Sequence, residues 1–200
     1  MNTKAPLVLD LVKGNPALVL DLEKEAPDLV TLRGQLTWDA KASSTAGGYE
    51  FDIDIFVVST ALDGTIDDVK HVMYFKHKWN DNNSLGVPVD NKKGGAALPE
   101  HFLAKIKDLP ADRGSHEIFA IIFEADKRKQ NFGMISNAHF DVMDEATGNV
   151  LKRYNLTQDY SADTAVHIGS LKRMPDGRHE FHPQGVGGIL DATSIINSYV

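Results

Sequence analysis

The chain of 200 residues contains no cysteine. That absence removes disulfide bonds, thiolate catalysis, iron–sulfur clusters and cysteine-ligated zinc together; it leaves the fold to packing alone and suits a reducing cytoplasm. An excess of positive charge is lacking as well. Against 21 Lys and Arg stand 28 Asp and Glu, a net charge of −7, which argues against a nucleic-acid partner. No segment approaches the roughly 20 uncharged residues of a membrane span. The first apolar stretch is broken by Asp10, too early for a signal peptide or an anchor, so a soluble cytoplasmic protein without membrane insertion is expected. Long, strongly periodic helices, proline-rich linkers and low-complexity tracts are also missing, and a single domain over residues 1–200 follows. The 42% of hydrophobic residues suffices for one core at this length.

What the chain does have is a series of short, strand-like runs. LVLDLVKG at 7–14 and LVLDLEKE at 18–25 echo one another and alternate apolar with polar residues, the two-residue period of a half-buried strand. LRGQLTW at 32–38, FDIDIFVV at 51–58 and VKHVMYF at 69–75 follow, the last two separated by the turn residues Asp63-Gly64. IFAIIF at 118–123 is continuously apolar, as a central strand buried on both faces should be. Two hairpins are expected around Thr147-Gly148 and Asp176-Gly177. HFLAKIKDL at 101–109 reads as helix or strand, and GGILDATSIINSYV as a helix near the C-terminus. The pattern predicts an all-β fold, an antiparallel β-sandwich with few short helices.

Charge is unevenly spread. Residues 1–70 carry 6 basic and 12 acidic groups, 71–130 carry 10 and 8, and 131–200 carry 5 and 8. The acid-rich first third holds the most specific chemical signal. On an extended strand Asp52 and Asp54 share a face with Phe56 and Val58, and same-face neighbours lie roughly 6.6 Å apart along the strand. Aspartate is a poor strand residue, so either a hard cation joins the two carboxylates or the strand's acidic end meets water. Calcium takes six to eight oxygens from carboxylates, amides and carbonyls, and WNDNNS at 79–84 and VDN at 89–91 are oxygen-rich.

Other candidates are weaker. ALDGTIDDV at 61–69 fails as an EF-hand because Asp68 stands at the required glycine and Tyr74 at the required glutamate. His179 and His182, three apart, fall on opposite faces of a strand. The glycines at 185, 187 and 188 lack a dinucleotide-binding context and are expected to let the chain turn into the helix. Lys127-Arg128-Lys129 reads as a solvated loop. No G-x-S-x-G or P-loop occurs; a hydrolase would need a solvent-open pocket with a hydrogen-bonded Ser–His or a carboxylate pair.

Taken together, the segments resemble the TerD family of tellurium-resistance and general-stress proteins, from about residue 9 to residue 192. LDLEKEAPDL at 20–29 is similar to that family's L-x-L-x-K-x-x-P-x-L, LTWD at 36–39 to G-L-G-W-D, and FDIDIFVV to F-D-L-D-A-S. KQNFGMISNAHFDVMDEATG at 129–148 resembles Q-N-F-G-x-V-x-N-A-F-x-R-V-x-x-x-x-T-G, and RYNLTQDYSADTAVHIGSLKR continues through A-R-Y-D-L and T-A-x-x-x-G-x-L.

The resemblance implies a β-sandwich that binds Ca2+ through acidic loops and is not an enzyme. It implies metal-ligating roles for Asp52 and Asp54 in the strand and for Asp90 and Asn91 in the family's G-D-N loop, with Glu100 as the last acid of its acidic run. Here that loop reads VDNKKGGAALPEHF, so Lys92 and Lys93 replace the Arg/Leu-Thr pair and most of the acids are lost. Fewer carboxylates and two added ammonium groups weaken a calcium site, and either lysine would be able to pair with Asp52 or Asp54. Two readings stay open: a calcium-binding or calcium-site-derived interaction module of the stress and tellurite response, partnered by other proteins of that response, or a metal-free structural or interaction sandwich within a larger assembly. The sequence leaves ligand, partner and oligomeric state open.

Overall fold

Alternation and turn chemistry divide the chain into two six-stranded sheets packed face to face. The structure, a computed structural model, describes residues 6–14, 18–41, 49–89, 99–156 and 158–200; the features assigned above to Asp90, Asn91, Lys92 and Lys93 lie outside these. In chain order the strands are β1 (Leu7–Leu11), β2 (Leu20–Asp21), β3 (Thr31–Ala40), β4 (Ile53–Ala61), β5 (Val72–Met73), β6 (Leu85–Gly86), β7 (Glu100–Lys105), β8 (Arg113–Ile122), β9 (Ile135–Asp144), β10 (Val150–Leu156), β11 (Ala165–Arg173) and β12 (His179–Gly188). Three short helices accompany them: α1 (Leu22–Glu25), α2 (Ala125–Arg128) and α3 (Ala192–Asn197). Among the described residues no helix is long and apolar enough to cross a membrane.

The first sheet runs β1-β10-β9-β3-β7-β6 and the second β2-β12-β11-β8-β4-β5. All the pairings are antiparallel except that of β1 with β10. Both predicted hairpins are present, β9–β10 and β11–β12, and the apolar run 118–123 supplies the C-terminal half of β8, flanked by β4 and β11. Inward residues such as Leu36, Trp38, Ile55, Phe102, Ile118, Tyr154 and Phe181 form the core between the sheets. Aromatic rings bridge it: Phe140 stacks on Phe102 at 6.3 Å between centroids and on Phe181 of the opposite sheet at 6.0 Å.

Some local expectations differ from the outcome. The second half of the N-terminal echo is a two-residue strand followed by α1, because Asp21 caps the helix by accepting a hydrogen bond from the Lys24 amide. VKHVMYF is mostly not strand: Asp68 likewise caps a 3-10 turn over Val69–His71, leaving Val72–Met73 as a short strand and Tyr74 in a single bridge to His77. HFLAKIKDL resolves as the strand β7 followed by a 3-10 turn.

The glycines before α3 do not make the turn; they lie within β12. Gly187 has a packing reason, since a Cβ there would stand 2.0 Å from the Asp163 carboxylate. Asp163 is buried and takes the Lys13 ammonium at 2.8 Å, tying the segment after β1 to the segment before β11. Gly187→Ala is therefore expected to displace Asp163 and cost about 1–3 kcal/mol of stability, measured as a lower urea midpoint with an unchanged slope.

Candidate metal and ligand site

Strand β4 turns its sequence pattern into two different environments. Phe51, Ile53, Ile55 and Val57 face the core between the sheets. Asp54, Phe56 and Val58, with Asp52 immediately before the strand, alternate with these towards the outer side of the second sheet. That outer side is covered. Phe56, Val58, Val72, Phe119, Ile121, Ala165 and Ile195 form a second, smaller apolar cluster, joined by Tyr74, Ala192, Ile196 and Tyr199. The cover is α3, begun by a capping box: the Asp191 carboxylate accepts from the Ser194 amide at 2.7 Å while Ser194 Oγ accepts from the Asp191 amide at 2.9 Å.

The aspartates therefore do not emerge into water at a strand end. Each is 8% exposed, and Asp54 lines a cleft of about 1020 Å³ whose other walls include Tyr74, Phe75, Phe123, Gln130 and Leu190. Withdrawal of two carboxylates from water is costly unless other groups answer their charge. One answering group is Arg128, whose guanidinium Nη1 is 3.8 Å from Asp52 Oδ2. The solvated-loop expectation for Lys127-Arg128-Lys129 fails for its middle member: Arg128 ends α2, its side chain is 14% exposed, and it lies over the Phe123 ring at 4.8 Å and the Tyr49 ring at 5.6 Å. Lys127 and Lys129 do face solvent, paired with Glu124 at 3.1 Å and Asp126 at 2.9 Å.

Strand pairing brings the predicted ligands together only in part. Asp52 and Asp54 share one face. Glu100 begins β7 in the other sheet, opposite Leu36, and is 1% exposed; its alternation with Phe102 and Ala104 places it on the face that looks into the core. Asp90 and Asn91 lie outside the described residues, as do the competing Lys92 and Lys93. In kind the aspartate pair suits a hard cation; in number it falls short of the six to eight oxygens calcium takes, so water or a loop must complete any such site. Among the described residues no three His, Asp or Glu side chains are grouped to hold a metal. The WNDNNS loop turns its amide oxygens on its own end: the Asn80 side chain accepts from the Ser84 and Leu85 amides and Asn82 from Ser84, while the Asn82 amide donates to the Asp108 carbonyl.

Among the described residues, a Ser–His pair and a Glu–His pair flanked by serines lie largely out of water. Ser59 Oγ lies 2.8 Å from His116 Nδ1 on the inner face of β4 and β8. Burial, with further repulsion from His179, pushes the His116 imidazole down to about 3. On the outer face Glu117 lies 2.8 Å from His167 Nε2 and accepts hydrogen bonds from the Ser115 and Ser170 hydroxyls. Burial opposes ionisation of Glu117, but these partners outweigh it and hold the carboxyl below its ordinary value. Here the serines are bound to the carboxylate rather than to the imidazole, and Tyr199 packs alongside on Phe119. His179 and His182 separate as expected, His182 turning to Glu180 at 2.8 Å.

Comparison with known proteins places this arrangement in context. The TerD domain model matches residues 8–199. An uncharacterized protein of Bacillus subtilis (strain 168), YceE, is 33% identical over 184 residues, covering 90% of this chain and 92% of that protein. General stress protein 16U of the same organism is 30% identical over 90% of this chain and 91% of its own length, and the tellurium resistance protein TerD of Serratia marcescens is 26% identical over 90% and 92%. Among solved structures, a homologue of telluride resistance protein (TerD) from Streptomyces coelicolor A3(2) superposes with a TM-score of 0.66 at 18% identity, over 82% of this chain and 94% of that one; at that identity the likeness speaks to the fold. With the two-sheet fold, the Asp-x-Asp strand and a match over nearly the whole chain, the protein belongs to the TerD domain family.

Proposed function

We propose that the protein is a non-catalytic binding module of the bacterial stress and tellurite response, working in the cytoplasm and joining other proteins of that response. The site is the outer face at the start of β4, where Asp52 and Asp54 would hold a calcium ion and Asp90 and Asn91 would supply further oxygens. Glu100 faces the core and is left out of this set. The observation that carries the reading is the burial of both aspartates side by side on one strand face, beside a cleft with an aromatic wall. The stress and tellurium assignment rests on what the relatives' names say of those proteins. The net charge of −7 supports protein rather than nucleic-acid partners, and the burial of the Ser59–His116 pair supports a role without catalysis.

A second reading, a metal-free interaction sandwich, is favoured by the guanidinium of Arg128 beside Asp52. Thermal melting separates the two. Millimolar calcium is expected to raise the melting temperature of the wild type by about 2–5 °C relative to chelator and to leave Asp54→Ala unmoved. An identical melting temperature with and without calcium in the wild type favours the metal-free module.

A further inference from the structure

We propose that Arg128 is an internal counter-cation of the Asp52 carboxylate, and that a divalent cation at the Asp52–Asp54 pair competes with it for that charge. The first half stands on its own; the second rests on the cation reading above.

Several features of the side chain point the same way. Its Nη1 approaches Asp52 Oδ2 at 3.8 Å and its Nε approaches Glu124 Oε2 at 3.7 Å. Both are ion-pair distances longer than a direct charge-assisted hydrogen bond. Nη1 also reaches the Glu50 carbonyl, at 3.5 Å. The buried Nε has no hydrogen-bond partner among the described residues. The plane of the guanidinium is instead held by the rings of Phe123 and Tyr49, a geometry in which arginine gains from cation–π attraction that lysine reproduces poorly. Arg128 is thus held by stacking and attracted by two carboxylates without being locked to either. That is the condition under which a small, doubly charged ion can win one of them.

The backbone that carries Arg128 is held under local strain. α2 is a single turn of four residues bracketed by two non-glycine residues in the left-handed region, Glu124 at φ 51° and Lys129 at φ 54°. Such conformations are costly for residues other than glycine and persist only where the surroundings hold them. α2 residues also line the cleft beside Asp54. Displacement of Arg128 by a cation would therefore change the cleft wall, and by linkage an occupant that repositions α2 would change the affinity for the cation.

The test uses the full chain as wild type, Asp52→Asn, Arg128→Gln, the double variant and Arg128→Lys. In chelator, each of the first two single substitutions is expected to lower the melting temperature by about 2–6 °C, and the double variant by clearly less than the sum. Strict additivity overturns the counter-cation role. In calorimetric calcium titrations, Arg128→Gln is expected to bind about tenfold more tightly than wild type, while Arg128→Lys, which keeps the charge, stays near wild type. Unchanged affinity in Arg128→Gln overturns the competition. Absence of calcium binding in every variant, together with a non-additive cycle, overturns both the competition and the cation reading while supporting the counter-cation. If Arg128→Gln does not fold, Arg128→Met supplies the cycle.

Discussion

Acidification from pH 6.5 to pH 4 is expected to destabilise this protein by up to about 3 kcal/mol through His116 alone. In the unfolded chain this imidazole takes its proton near 6.5; in the folded chain burial holds it down to about 3. Between those values the unfolded state binds the additional proton, so stability rises with pH. The contribution is complete above pH 6.5 and is lost as the pH falls towards 3, at a limiting slope of about 1.4 kcal/mol per pH unit. Burial also lowers His101 and His179, which act in the same direction as the pH falls below 6.5. His116→Gln should therefore flatten the dependence by about one proton's slope without abolishing it. Urea midpoints at pH 7, 6, 5 and 4 measure this; an unchanged slope in His116→Gln would show that the imidazole is not held neutral by the fold.

The second large effect lies in the aromatic bridge. Phe140 is fully buried, stacked on Phe102 of its own sheet and on Phe181 of the other, and Phe181 in turn meets Tyr154 at 5.8 Å. Phe140→Ala removes the middle member of that series and opens a void that rings on both sides cannot fill without leaving their rotamers, at a cost of about 3–5 kcal/mol. Chemical denaturation measures it. A loss under about 1 kcal/mol would mean that the two sheets close over the gap and that the bridge contributes little to their packing.

Much of the fold was legible because it rests on local rules. Alternation placed Ile53, Ile55 and Val57 inward, the continuous apolar run 118–123 marked a strand covered on both faces, and two Gly-containing turns marked the hairpins. Departures occur where one side chain overrides the pattern: Asp21 and Asp68 cap helical turns in segments whose alternation reads as strand. The pairing of β1 parallel to β10 joins residues about 145 positions apart, beyond any local signal.

The site was half legible for a related reason. The shared face of Asp52 and Asp54 follows from spacing alone. Their burial does not, because it involves groups far along the chain, among them Arg128 beside Asp52 and the residues of 121–131 and 189–194 that share a cleft with Asp54. Arg128 was hidden in a basic triplet of which two members do face solvent; only its stacking on Phe123 and Tyr49 sets it apart. Glu100 was placed by its match to an acidic run, whereas strand pairing sets it on the inner face of the other sheet.

The proposed seat of binding is the buried aspartate pair at the start of β4. Calorimetric titration of calcium into the full-length wild type beside an Asp52→Asn, Asp54→Asn double variant tests it most directly. Saturable heat from a single site in the wild type, absent from the folded double variant, is the predicted result. Equal heats in the two proteins, or none in either, would contradict it.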